Sequence, residues 1–105
     1  MNERTRLPQR RPSINFDIES QGLRFTVTST IINGELREIF ITNHRAGSGA
    51  GIMASDAAVV TSIALQFGVP VEIIRKALMR DAQGRASGPL GVALDTIVAE
   101  QERAP

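Results

Sequence analysis

Apolar residues recur at every second position between residues 14 and 42, and at every third or fourth position after residue 52. The first spacing is that of a strand with one buried face, and the second is that of an amphipathic helix. Ile14, Phe16 and Ile18 alternate with Asn15, Asp17 and Glu19, and Gln21-Gly22 offers a turn. A second strand follows, with Leu23, Phe25 and Val27 on one face and Arg24, Thr26, Thr28 and Thr30 on the other. Asn33-Gly34 tolerates the positive φ angles of a two-residue type I′ turn, so it predicts a hairpin into a third strand from Leu36 to Thr42. A two-residue loop there sets Val27 opposite Phe40 and Ile31 opposite Leu36, all facing the core. Ile39 and Ile41 then fall on the opposite face, either as a half-covered sheet surface or as a contact between subunits.

Asn43 to Gly51 reads as a glycine-rich linker. Beyond it, Ile52, Met53, Val59, Val60, Ile63, Ala64 and Phe67 predict a helix of about four turns, closed by Gly68 at its C-terminal cap. Pro70 suits the first turn of a second helix, with Glu72 near its positive end and Ile73, Ile74, Ala77 and Leu78 as the buried stripe. Asp81 to Gly88 is a polar loop, and a last helix carries Leu90, Leu94, Ile97 and Val98. Strands followed by helices indicate an α+β fold rather than alternating α/β. The expected architecture is a three-stranded antiparallel β-meander followed by three α-helices packed on one face, with helices near residues 50–67, 70–80 and 90–101. Residues 13–101 form a single domain in this reading, after a basic extended arm (1–12) and before a frayed tail (102–105).

Composition narrows the chemistry. With 105 residues, 42% of them hydrophobic and 22% charged, the chain can bury one small core. It has no cysteine, which removes disulfides, thiolate metal sites and thiol nucleophiles, and its one histidine is His44. The net charge of +1 is unevenly placed, because Arg4, Arg6, Arg10 and Arg11 crowd the first twelve residues against a single Glu3. Such an arm is either a solvated chain end or a docking element for phosphates, nucleic acid or an acidic partner. Apolar runs are short of the ~20 residues of a bilayer span and no secretory signal is visible, so no membrane partner and a cytoplasmic location are expected.

Candidate binding chemistry centres on the linker. Gly47-Ser48-Gly49-Ala50-Gly51 precedes a helix, where backbone amides can hold a phosphate, and His44 and Arg45 sit at the adjoining strand end. The anion- or nucleotide-binding candidates are therefore His44, Arg45, Gly47, Ser48, Gly49 and Gly51. The spacing matches neither the dinucleotide nor the phosphate-loop signature, so a plain flexible connection stands beside this reading. His44 has no orienting partner or companion ligands in the local sequence, so no catalytic residue and no metal site are assigned. Asp56, Asp81 and Asp95 read as surface charges or helix caps, with Asp95, between Leu94 and Ile97, half buried and in need of hydrogen-bond partners. With four phenylalanines and neither Trp nor Tyr, no base-stacking platform is present.

Four phrases occur in a recognisable order: Arg11-Pro12-Ser13, Gly34-Glu35-Leu36-Arg37-Glu38-Ile39-Phe40-Ile41, Ser62-Ile63-Ala64-Leu65-Gln66-Phe67-Gly68-Val69-Pro70, and Ser87-Gly88-Pro89-Leu90-Gly91 with Leu94-Asp95. Together they resemble the TSCPD domain, found near the C-terminus of adenosylcobalamin-dependent (class II) ribonucleotide reductases and as small stand-alone proteins. The resemblance implies a link to ribonucleotide reduction, with adenosylcobalamin only by family association and no cofactor expected on this chain. Around Thr28-Ser29-Thr30 and between Ala82 and Leu94, where longer relatives often carry cysteine, this chain has none. Since the reduction needs a thiyl radical and a reducing cysteine pair, the expectation is a non-catalytic accessory or regulatory module. Its expected partners are a reductase catalytic subunit, a nucleotide or a second copy through the Ile39/Ile41 face. The alternative is a small nucleic-acid-associated regulator acting through the arginine arm.

Overall fold

The computed structural model describes residues 3–7, 12–45 and 47–103, so Arg10, Arg11 and most of the junction between arm and domain lie outside the described residues. Three strands, β1 (Ser13–Ser20), β2 (Leu23–Ile32) and β3 (Glu35–Asn43), precede three helices, α1 (Gly49–Gln66), α2 (Val71–Ala77) and α3 (Pro89–Arg103). The strands form one antiparallel sheet in the order β1-β2-β3. Both turns use positive φ at two successive residues, 55° and 77° at Gln21-Gly22 and 53° and 80° at Asn33-Gly34. That is the backbone twist which suits right-handed strands. The α+β order expected from the sequence is the order observed.

The register of β3 differs from expectation by one residue. Ile31 does pair with Leu36, but Val27 pairs with Ile41 and Ser29 with Ile39, because a bulge inserts Arg37 between the Thr30/Glu38 and Ile31/Leu36 pairs. The extra residue turns both Leu36 and Ile39 inward. Ile39 and Ile41 are therefore core residues at 0% and 1% exposure, whereas Phe40 points outward at 41%. The sheet face on which a subunit contact through Ile39 and Ile41 was expected does not present those side chains. The core combines them with Ile18, Phe25, Val27 and Leu36 from the sheet and with Leu65, Leu94 and Ile97 from the helices.

α1 lies along the open edge of β3 and inverts the apolar pattern that predicted it. Its buried residues are Ala54, Ala58, Thr61, Ser62, Leu65 and Gln66, while Ile52, Met53, Val59 and Val60 are exposed. Small side chains allow the helix to come close, and polar ones complete the hydrogen bonding of the strand edge. The Ser62 hydroxyl donates to the Ile39 carbonyl and accepts from the Ile39 N–H, both at 2.8 Å. The Gln66 amide donates to the carbonyl of the bulge residue Arg37 at 3.1 Å, and the Arg37 guanidinium returns a bond to the Leu65 carbonyl. An edge that would otherwise offer unpaired backbone groups to another strand is thus covered.

α2 is shorter than the 70–80 expected and has no fully buried residue. Ile73 is 60% exposed and Ala77 also faces solvent, so the inward stripe reduces to Val71, Ile74 and Leu78. Beyond it the chain forms a small loop closed by an Arg80/Ala86 bridge. α3 returns across β1 and β2. It approaches that loop so closely at Gly91 that a Cβ there would stand 2.7 Å from the Ala86 Cβ.

Candidate functional site

The linker after β3 is built around Asn43. Its side-chain oxygen accepts from the Arg45 N–H at 2.9 Å and from the Ser48 hydroxyl at 3.3 Å, and its amide donates to the Arg24 carbonyl at 2.9 Å. Ser48 is the N-cap of α1 and accepts from the Gly51 N–H at 3.0 Å. Gly51 has no room for a side chain, since a Cβ would lie 2.9 Å from both the Asn43 Cβ and the Ser48 Oγ. A glycine there reflects this close approach of the linker to the helix start rather than a flexible connection.

This ordered corner divides five of the six binding candidates between two hollows. His44, Arg45 and Ser48 border one of about 520 Å³, together with Gly22 from the β1–β2 turn and Arg24 at the start of β2. Gly47 and Gly51 border another of about 450 Å³, with Arg45, Ile52 and Asp56. Gly49 lines neither of these two hollows and forms the first residue of α1. The helix-start amides of Gly51 and Ile52 are bonded to the Ser48 hydroxyl and carbonyl, so the positive charge around the first hollow comes from the Arg24 and Arg45 side chains rather than from those amides. Arg24 is the contributor that local sequence reasoning missed. It lies 20 residues before His44, and only the antiparallel pairing of β2 with β3 brings the two strand ends together.

His44 does have an orienting partner, supplied from the neighbouring strands. Thr26 donates its one hydroxyl proton to Asp17 at 2.9 Å, so the 2.9 Å contact with His44 has Nε2–H as donor and Thr26 Oγ1 as acceptor. Asp17 and Thr26 are directly paired across β1 and β2. This exposed chain of hydrogen bonds fixes the imidazole at the mouth of the cationic hollow.

Asp95 is the electrostatic centre of the helical half. Arg80 grips it with two bonds, 2.7 and 2.9 Å, and Arg75 adds a third at 2.9 Å while also bonding Glu72 at 2.6 Å. The Arg80 fork, aided by Arg75, holds the Asp95 carboxyl below its usual range despite partial burial that pushes the other way. These bonds tie α2 and the following loop to α3, and they supply the partners expected for a half-buried Asp95. Asp81 is an exposed loop organiser: the Arg85 and Gln83 amides hold its pKa down. Among the described residues no group of three or more His, Cys, Asp or Glu could hold a metal ion.

The basic arm is engaged with the domain where it is described. Thr5 donates its backbone N–H to the Gln66 carbonyl at 2.8 Å, and the Arg4 guanidinium bonds the Gln66 side chain. Arg6 borders a shallow hollow with Glu38.

The family model of the TSCPD domain matches residues 2–99, nearly the whole chain. The chain belongs to the TSCPD domain family. No curated protein and no solved structure matches it. Within this TSCPD domain, the four phrases that carried the resemblance have structural assignments. Gly34 to Ile41 is the turn, the bulge and the inward-facing part of β3. Ser62 to Pro70 is the edge-covering end of α1 with its glycine cap. Ser87 to Gly91 with Asp95 is the loop-to-α3 junction and its ion cluster. Arg11 lies outside the described residues, and Ser13 opens β1.

Proposed function

We propose that this TSCPD domain is a non-catalytic accessory module of ribonucleotide-reductase type that recognises the phosphate of a nucleotide at the hollow bordered by Arg24, His44, Arg45 and Ser48. The observation that carries the reading is the convergence of two arginines and the one histidine on a single hollow of about 520 Å³. That size suits a small ligand. Guanidinium groups pair with phosphate through forked, charge-assisted hydrogen bonds, and the Ser48 hydroxyl lies within the same rim. The family's association with ribonucleotide reductases supports a nucleotide as the phosphate carrier. The chain carries no cysteine to form the radical or to reduce it, so its contribution comes through binding.

Thermal-shift and calorimetric titration with ribonucleotides and deoxynucleotides tests this. A ligand of the folded form raises the melting temperature by mass action, and Arg24→Ala with Arg45→Ala abolishes the effect while leaving the fold intact. Absence of any nucleotide-dependent shift, or a shift indifferent to both substitutions, overturns the reading. A shift lost instead on removing residues 1–12, with steep salt dependence on a polynucleotide, favours the arginine arm as the binding element.

A further inference from the structure

The outward face of α1 is unlike the solvent face of an ordinary surface helix. Asp56 is the only charged residue between Gly49 and Gln66. Around it, Ile52, Met53, Val59 and Val60 fall within an arc of about 120° at 100° per residue, exposed to 54%, 74%, 42% and 67%. Exposed helix positions gain nothing locally from β-branched side chains, which are weaker helix formers than the lysine or glutamate usual there. At Met53 this face continues into a groove of about 440 Å³ between α1, the β1–β2 turn and the loop before α3, lined by Leu23, Leu78 and Met79. Met79 is 79% exposed and Leu23 41%.

We propose that this continuous apolar surface is a homodimer interface, with α1 of one copy packed on α1 of a second about a two-fold axis. Two arguments select a second copy as the occupant. The first is area. The exposed parts of Ile52, Met53, Val59, Val60, Leu23 and Met79 amount to about 700 Å² per copy on ordinary whole-residue areas, against the roughly 800 Å² per partner of a stable interface. The second is charge. A two-fold interface sets a patch against itself, so like charges within it repel; a face with one charged side chain meets that requirement, and a strongly charged face does not. Asp56 is the one element that opposes pairing. This surface meets the cationic hollow at Leu23, which borders both, but Val60 and Asp56, the positions that test it, do not border that hollow, so the proposal does not depend on the nucleotide reading.

The test is sedimentation equilibrium or light scattering of the full chain over a wide concentration range, with circular dichroism to verify folding. The wild type associates to a dimer, Val60→Glu weakens the dissociation constant by about 100-fold or more, and Asp56→Leu tightens it by about tenfold. Both positions are exposed, so neither change disturbs the core. A chain that stays monomeric up to about 1 mM, or a dimer indifferent to both substitutions, overturns the proposal. So does a monomer that uses this face on anionic or neutral lipid vesicles, for which α1 has the necessary length and apolar composition.

Discussion

Deleting one oxygen atom at Ser62 is a severe test of the edge-covering role of α1. Ser62 is 4% exposed, and its hydroxyl serves both the N–H and the C=O of Ile39 at 2.8 Å. Ser62→Ala leaves two buried backbone groups without that partner, and each unsatisfied group costs about 1–3 kcal/mol. The expected loss is about 3 kcal/mol, a large share of the roughly 5–15 kcal/mol that holds a domain of this size together. It corresponds to a fall in Tm of about 15 °C. Urea denaturation followed by circular dichroism measures it, with Thr96→Ala as the comparison: that hydroxyl only bonds a carbonyl four residues back in α3, and its removal costs less than about 1 kcal/mol. Amide hydrogen exchange gives a second readout, since the Ile39 amide is slow in the wild type and accelerates in the variant. A loss under about 1 kcal/mol, or an Ile39 amide that stays protected, would refute the reasoning that α1 replaces a missing strand.

Asp95→Asn removes a charge held by two arginines and lowers stability by about 2 kcal/mol. Because the folded carboxyl titrates below its unfolded value, the wild-type contribution is complete above the ordinary carboxylate range and is lost as pH falls through the lower folded pKa. Melting curves between pH 3 and 7 should show a steeper acid decline for wild type than for Asp95→Asn. Gly91→Ala places a Cβ 2.7 Å from that of Ala86 and costs about 1–3 kcal/mol, most of which a second change, Ala86→Gly, restores; additive losses in the double variant would show that the contact is not the cause. Gly51→Ala sets two opposed effects against each other: a gain of up to about 1 kcal/mol in helix propensity and a clash at 2.9 Å with both Asn43 and Ser48. The clash wins, so thermal melting should show net destabilisation, and a stabilised variant would mean that the linker yields easily.

The local signals were sound wherever one residue type meets one backbone requirement. Asn33-Gly34 and Gln21-Gly22 each occupy two successive positive-φ positions, and Gly68, at φ 96°, follows the end of α1 as expected of a glycine cap. The register of β3 was harder to read. In Leu36-Arg37-Glu38-Ile39-Phe40-Ile41 strict alternation cannot make Leu36 and Ile39 share a face, and nothing local marks Arg37 as the extra residue. The candidate site was legible in the same uneven way. His44, Arg45 and Ser48 border one hollow as their proximity suggested, while Arg24 and the Asp17–Thr26–His44 chain depend on strand pairing across separations of nine to twenty residues.

What the amino-acid order determined alone was the run of strands then helices, the two hairpin turns and the exclusion of thiol chemistry, because each depends on short-range backbone preferences or on simple presence and absence. Which face of α1 is buried was decided only in three dimensions. Periodicity identifies a helix and its apolar stripe, but an open strand edge needs small side chains for close approach and hydroxyl or amide groups for its unpaired backbone. Ala54, Ala58, Ser62 and Gln66 therefore turned inward beside Leu65, and Ile52, Met53, Val59 and Val60 were left facing out.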